Sequence, residues 1–179
     1  MRVRLSRFDN KAFDRGRSRL VELAWMVASA LLFRHSLAVW SGLKVAVLRG
    51  FGARVGRGVL IKPGVQIKFP WKLVIGNDAW IGEHVWIDNL DTVTIGSDVC
   101  ISQGAMLLCG SHDFKRETFD LITRPITVED GAWICARAIV CSGVRVGTHA
   151  VLTAGSVATG PLEPNTVFQG NPAIAKRTR

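Results

Sequence analysis

Four histidines and four cysteines carry most of the reactive chemistry in the chain: His35, His84, His112 and His149, and Cys100, Cys109, Cys135 and Cys141. A neutral imidazole beside an open groove takes up a proton near pH 7, which suits general-base work. His112 is the leading candidate. It stands between Ser111 and Asp113, inside residues 108–127 (LCGSHDFKRETFDLITRPIT), a stretch that breaks an otherwise regular pattern. Long excursions in compact domains are usually functional. The other histidines compete poorly. His35 lies in an apolar, helix-like segment, His149 falls on an outward place of a late repeat, and His84, one coil before the insertion, could line the same groove but has nothing else to mark it. Cys109 is close to His112 and offers a thiol nucleophile as an alternative. No C-x-x-C pair and no Cys/His cluster at zinc spacing is present, so no metal site is expected. The histidines contain no close pair, which argues against a three-histidine zinc hydratase.

The elements that must position His112 follow from a period of six. Aliphatic residues recur as Val55, Ile61, Ile67; Ile75, Ile81, Ile87; Ile95, Ile101, Leu107; Val128, Ile134, Val140; and Val146, Leu152, Ala158. Glycine or a small or polar residue commonly follows each, with a small residue four places on. The breaks in phase matter equally. Ile67 to Ile75 and Ile87 to Ile95 are eight residues apart, and Leu107 to Val128 is 21. Each set therefore holds three hexads, and the sets stack as about five coils of some 18 residues. Three short strands per coil make a triangular prism of parallel sheets, in which each coil buries the face its neighbour exposes. A sandwich would need tight hairpins and strict alternation instead. The long insertion at 108–127 is expected as a loop.

Charge divides the 179-residue chain at the same boundary. Its net charge is +9, but residues 1–54 hold 11 basic side chains against Asp9, Asp14 and Glu22, while residues 55–179 are nearly balanced. The expected organisation is a basic N-terminal arm and apolar helical segment (1–54), then a repeat domain with a C-terminal tail (55–179). Residues 20–33 (LVELAWMVASALLF) and 36–49 (SLAVWSGLKVAVLR) read as a helical pair. The first is too short to span a bilayer, which takes about 20 apolar residues. The pair has two compatible roles: a hydrophobic cap on the prism, or an interfacial anchor with Trp25 and Trp40 among basic residues facing anionic lipid. Basic charge without a recognition motif does not indicate nucleic acid. Residues 1–19 are arginine-rich without an apolar core, so no signal peptide is expected. Spacing leaves a disulfide open, and the expectation is unpaired, buried thiols in a reducing cytoplasm.

The repeats, with Ser111-His112-Asp113, Arg124-Pro125-Ile126, Val128–Ala136 (VEDGAWICA), Ala154-Gly155-Ser156-Val157, Pro164-Asn165 and Gly170-Asn171-Pro172-Ala173, resemble the hexapeptide-repeat acetyltransferases. The likeness is greatest to the sugar O-acetyltransferases of colanic acid biosynthesis. Phe51–Gly56 and Pro70–Leu73 resemble the family's entry into its first coils. The resemblance implies a left-handed parallel β-helix, although the usual rule for parallel crossovers gives the opposite hand. It further implies an acetyl-coenzyme A-dependent transfer to a saccharide hydroxyl, with His112 as base, no acyl-enzyme, and no metal. Trp133, Ala136, Ala154, Thr159 and Arg177 would contact the coenzyme. Two of these have plainer readings: Trp133 as packing between coils, and Lys176-Arg177-Arg179 as a solvated tail. Gly160 stands where related sequences often carry lysine after the threonine. The resemblance also implies a homotrimer with active grooves between subunits, working in the cytoplasm, at the inner face of the inner membrane if the helices bind lipid. A non-catalytic β-helix scaffold is the alternative; it would explain the repeats but not the insertion.

Overall fold

The computed structural model describes residues 2–34 and 39–179. Each inward aliphatic residue of the hexads sits in a two- or three-residue strand, and three strands make a turn. The first coil is β1 (Arg54–Val55), β2 (Leu60–Ile61) and β3 (Gln66–Ile67); the second is β4 (Leu73–Ile75), β5 (Trp80–Ile81) and β6 (Trp86–Asp88). The third is β7 (Val93–Ile95), β8 (Cys100–Ile101) and β9 (Met106–Leu108). Then β10 (Gly110–His112) and β11 (Leu121–Thr123) interrupt the winding. The fourth coil is β12 (Ile126–Val128), β13 (Trp133–Ile134) and β14 (Ile139–Val140); the fifth is β15 (Arg145–Val146), β16 (Val151–Leu152) and β17 (Val157–Ala158).

Coils stack in parallel register to give three sheets. Sheet 1 is β1-β4-β7-β12-β15, and sheet 3 is β3-β6-β9-β14-β17. Sheet 2 carries β2-β5-β8-β13-β16 and gains two strands, β18 (Thr166–Gly170) and β19 (Ala173–Thr178). Inside sheet 2, Ile61, Ile81, Ile101, Ile134 and Leu152 lie directly over one another, each at most 1% exposed. Burying such side chains contributes about 1.5–3 kcal/mol each, so the ladders are the main source of stability.

Corners are made by residues in the left-handed region, among them His84 (φ +56°) and His149 (φ +57°). The ring of each lies against the glycine of the coil below: a Cβ on Gly64 would collide with His84, and one on Gly131 with His149. These two histidines are therefore corner residues.

The prism's first coil has no neighbour below it, and its strand carbonyls would be left unpaired. Two helices close it: α1 (Arg19–Leu32), capped by Ser18, and α2 (Ser41–Gly50). Arg49 donates to Val55 O on sheet 1, at 3.0 and 2.8 Å. Lys44 Nζ donates to Ile61 O and Lys62 O on sheet 2 at 3.0 and 2.9 Å, and Trp25 Nε1 donates to Ile67 O on sheet 3 at 2.9 Å. Each of the three open edges thus has its own side-chain donor. Trp25, Phe33, Val45 and Leu48 join the same apolar core. His35 and the expected start of the second helix at 36–38 lie outside the described residues.

Two expectations need correction. The C-terminal run is not a free tail: Leu162 bridges Val146, β18 pairs with β16, and β19 returns antiparallel on β18. This partial sixth coil covers the upper edge of sheet 2. Nor is the insertion a plain loop, since β10 and β11 pair antiparallel over three residue pairs.

Candidate functional site

The winding leaves the prism at the edge between sheets 3 and 1, after Leu108, and resumes where β12 docks on β7. The hairpin is tied to the prism at its root. Cys109 N–H donates to Asp88 O at 3.2 Å, and Arg124 N–H to Cys109 O at 3.1 Å. At the tip Asp113 N–H donates to Asp120 O at 2.9 Å. The hexad register does not continue into His112, which is the last residue of β10 and faces Leu121 of β11.

The imidazole of His112 has a defined orientation. Its Nδ1 lies 2.8 Å from Phe119 O. A carbonyl oxygen only accepts, so Nδ1 carries the proton and the neutral ring has its lone pair on Nε2. Phe119 holds a left-handed backbone (φ +52°), uncommon for a bulky residue, and its ring stacks on His112 at 4.3 Å with 4° between planes. The ring of Phe8, from the N-terminal arm, meets the same imidazole edge-to-face at 5.5 Å and 63°. His112 lines an open cleft of about 530 Å³ with Ser111, Asp113, Phe114, Arg124, Cys141 and Ser142 among its neighbours. Among the described residues, the Ser142 hydroxyl is the buried side-chain polar atom with no hydrogen-bond partner. It lies in the wall of this cleft.

Cys109 is fully buried at the hairpin root, and burial pushes its thiol up to about 12. A thiol that stays protonated is a poor nucleophile, which disfavours Cys109 as an acyl carrier. All four cysteines are unpaired. Cys109 is buried as expected, but Cys100, Cys135 and Cys141 are only half-buried.

The other expected site residues are distributed over the prism. Thr159 follows β17 and so shares the edge between sheets 3 and 1 with His112, two coils further on. Ala136 and Ala154 stand at the edge between sheets 2 and 3, in the turns after β13 and β16. Trp133 projects from sheet 2, 43% exposed, with its indole N–H donated to Ser102 Oγ at 2.9 Å. Arg177 is on β19, paired with Val167. One protomer therefore does not gather these residues around His112; none of them lines its cleft. His84, at the edge between sheets 2 and 3, does not line it either.

Three residues at or beside the site escaped the sequence reading: Phe8, Phe119 and Ser142. Arg124 was visible only as part of a motif. Phe8 lies 104 residues from His112 and carried no signal at all.

The chain thus presents a histidine on a hairpin, beside an open cleft, at the edge of a hexad-built prism. The chain is 37% identical over 169 residues to the Escherichia coli K12 protein named for colanic acid biosynthesis, acetyltransferase WcaF; the match covers 94% of this chain and 92% of that one. It is 27% identical over 143 residues to the galactoside O-acetyltransferase of the same organism, covering 78% and 70%. Among solved structures, a hexapeptide-repeat acetyltransferase of Vibrio cholerae complexed with acetyl-coenzyme A superposes with a TM-score of 0.80. That match has 22% identity over 89% of this chain and 87% of that one. No family model matches the chain. The prism has the left-handed parallel β-helix fold of these enzymes, and the chain belongs to the hexapeptide-repeat acetyltransferase family. It is an acyltransferase, and these two relatives are named as acetyltransferases, one of colanic acid biosynthesis and one of galactosides.

Proposed function

We propose that the protein transfers the acetyl group of acetyl-coenzyme A to a hydroxyl of a sugar or saccharide in surface-glycan assembly, with His112 as general base. The observation that carries this reading is the Nδ1–Phe119 O bond, which leaves Nε2 as the basic nitrogen of a ring lining an open cleft. The acceptor proton passes to Nε2 while the oxygen attacks the thioester carbonyl. The departing thiolate then recovers the proton from the imidazolium, which Phe119 O continues to orient. Holding both substrates together supplies much of the acceleration, about 7–11 kcal/mol in favourable intramolecular systems. The galactoside acetyltransferase activity in one relative's name and the acetyl-coenzyme A in the Vibrio neighbour support the two substrates.

Trp133, Ala136, Ala154, Thr159 and Arg177 are the coenzyme contacts in this reading. Their separation from His112 in one protomer favours a three-fold trimer in which His112 works on coenzyme held partly by the next subunit. The outward faces agree with such burial: Leu60, Trp80 and Trp133 on sheet 2, and Trp86 on sheet 3, are all 40% exposed or more. Rows of large apolar residues at this exposure mark interaction surfaces.

In this reading the N-terminal helices hold the enzyme against the cytoplasmic face of the inner membrane. No helix among the described residues is long and apolar enough to cross it. Support comes from the outer face of α1, where Leu20, Leu23, Val27 and Leu31 are exposed at helical spacing between Arg19 and Arg34. Such a face suits the interface plane of an anionic bilayer. Full-length protein is expected to sediment with phosphatidylglycerol vesicles at low salt, and protein lacking residues 1–50 to remain in solution. Full-length protein that stays in solution would remove the membrane from this account.

The activity is tested by incubating the protein with acetyl-coenzyme A and a panel of galactosides, maltose and other saccharides, following free thiol and hydroxylamine-labile ester. Ester on a saccharide supports the reading. Thiol release that no saccharide accelerates overturns it.

A further inference from the structure

The catalytic hairpin holds only three residue pairs, and a two-stranded hairpin of that size is marginal alone. A general base must nevertheless be held to about 0.5 Å and 10–20°. We propose that the N-terminal arm, residues 2–18, is a positioning element for the reaction and that Phe8 is the residue through which it acts. This rests on His112 being the base.

The arm is fastened at both ends. At its far end Trp71 Nε1 donates to Arg15 O at 2.6 Å and Lys72 Nζ to Asp14 O at 2.7 Å. Gly16, with φ +77°, passes so close to the Trp71 ring that a Cβ there would stand 3.0 Å from it. Phe13 stacks on Phe69, and the Lys72 ammonium sits 4.8 Å from the Phe13 centroid. Arg15 is further paired with Glu22 of α1 at 2.8 Å. This end therefore belongs to the second coil and to α1.

At its near end the arm grips the hairpin tip. Arg4 N–H donates to Glu117 O at 2.9 Å, and the Glu117 carboxylate is shared between Arg4 Nε at 2.9 Å and Arg7 Nη1 at 2.8 Å. The hairpin's other tip carboxylates are engaged within the hairpin: Asp113 accepts from Lys115 N–H, and Asp120 pairs with Arg116. Glu117 is thus the carboxylate through which the tip meets the arm. The grip brings the Phe8 ring edge-to-face against the imidazole whose other ring contact is Phe119. Two aromatic neighbours from two separate segments fix the ring plane, and with it the Nδ1–Phe119 O bond that selects the basic nitrogen. Without Phe8 the imidazole is free to rotate off Phe119 O and to exchange tautomers.

The test compares Phe8→Ala, Phe8→Tyr and Glu117→Gln with wild type in the full-length protein, using acetyl-coenzyme A and the best acceptor of the saccharide panel. Phe8→Ala is expected to lower kcat between about tenfold and 10²-fold, the scale of a 1 Å misplacement, with KM for acetyl-coenzyme A unchanged. Phe8→Tyr, which keeps the ring, restores turnover, and Glu117→Gln falls between the two. Nitrogen-15 NMR of the imidazole reads the mechanism without turnover. Wild type shows the Nδ1–H tautomer, and Phe8→Ala shows a mixture with Nε2–H while Tm moves by less than about 4 °C. Unchanged kcat in Phe8→Ala, or lowered kcat with an unchanged tautomer, overturns the proposal. Wild-type turnover in His112→Ala would refute the base assignment, and the NMR comparison would still decide whether the arm holds the ring.

Discussion

A histidine and a thiol stand three residues apart in this chain, and their surroundings differ sharply. His112 is open to a cleft and hydrogen-bonded so that Nε2 is basic. Cys109 is sealed at the hairpin root, where burial pushes its thiol up to about 12. Cys109→Ala is therefore expected to keep acyl transfer within about threefold of wild type, the change reflecting packing alone. Native Cys109 should resist iodoacetamide at pH 8, as peptide mapping by mass spectrometry would show. The sign of the linked stability follows. The folded thiol's value lies above the unfolded one, so its contribution is complete below about pH 8.5 and is lost as pH rises toward 12. Rapid alkylation of Cys109 in the folded protein would contradict this assignment.

Among the elements, the coils and the hairpin differ in how they are held. The coils depend on aligned aliphatic ladders. Ile134, fully buried between Ile101 and Leu152, is expected to cost about 2–5 kcal/mol when cut to alanine, measured by urea denaturation. The first coil depends on borrowed donors. Trp25→Phe keeps an aromatic side chain but leaves Ile67 O without its indole N–H partner, at a cost of about 1–3 kcal/mol for that bond in the same measurement. This contrast also explains what the sequence could show. Hexads from Val55 to Ala158 were legible because one position in six must fill the same narrow core, whatever else the chain does. The hairpin was legible only as an interruption, since its pairing of Gly110 with Thr123 and of His112 with Leu121 follows no period. The C-terminal run read as a tail because Lys176, Arg177 and Arg179 crowd its last four positions and mark solvated chain rather than a strand. Contacts between the arm and the hairpin were invisible: Arg7 and Glu117 are 110 residues apart, and neither is apolar.

At the scale of the whole molecule, the net charge of +9 proves to be local. The basic side chains of the first 54 residues divide among distinct tasks. Arg4 and Arg7 hold the hairpin, Arg15 ties the arm to α1, Lys44 and Arg49 close the first coil, and Arg19 and Arg34 flank the exposed face of α1. The expected coenzyme contacts are spread over two edges and a face of the prism, so sedimentation equilibrium is expected to give three times the 19.6 kDa protomer mass. A monomer with full activity would break the shared-groove account. Mixed trimers of His112→Ala and Ala154→Trp protomers are expected to recover activity that neither variant shows alone, because one groove in such a trimer draws on two intact edges.

The central claim, that His112 removes the acceptor proton, is tested most directly by kcat for His112→Ala against wild type. The assay uses saturating acetyl-coenzyme A and the preferred saccharide, with the variant's fold checked by circular dichroism. General-base catalysis is worth about 10²–10⁴-fold, so kcat is predicted to fall by that factor with KM for acetyl-coenzyme A little changed. Equal turnover by the two proteins would contradict it.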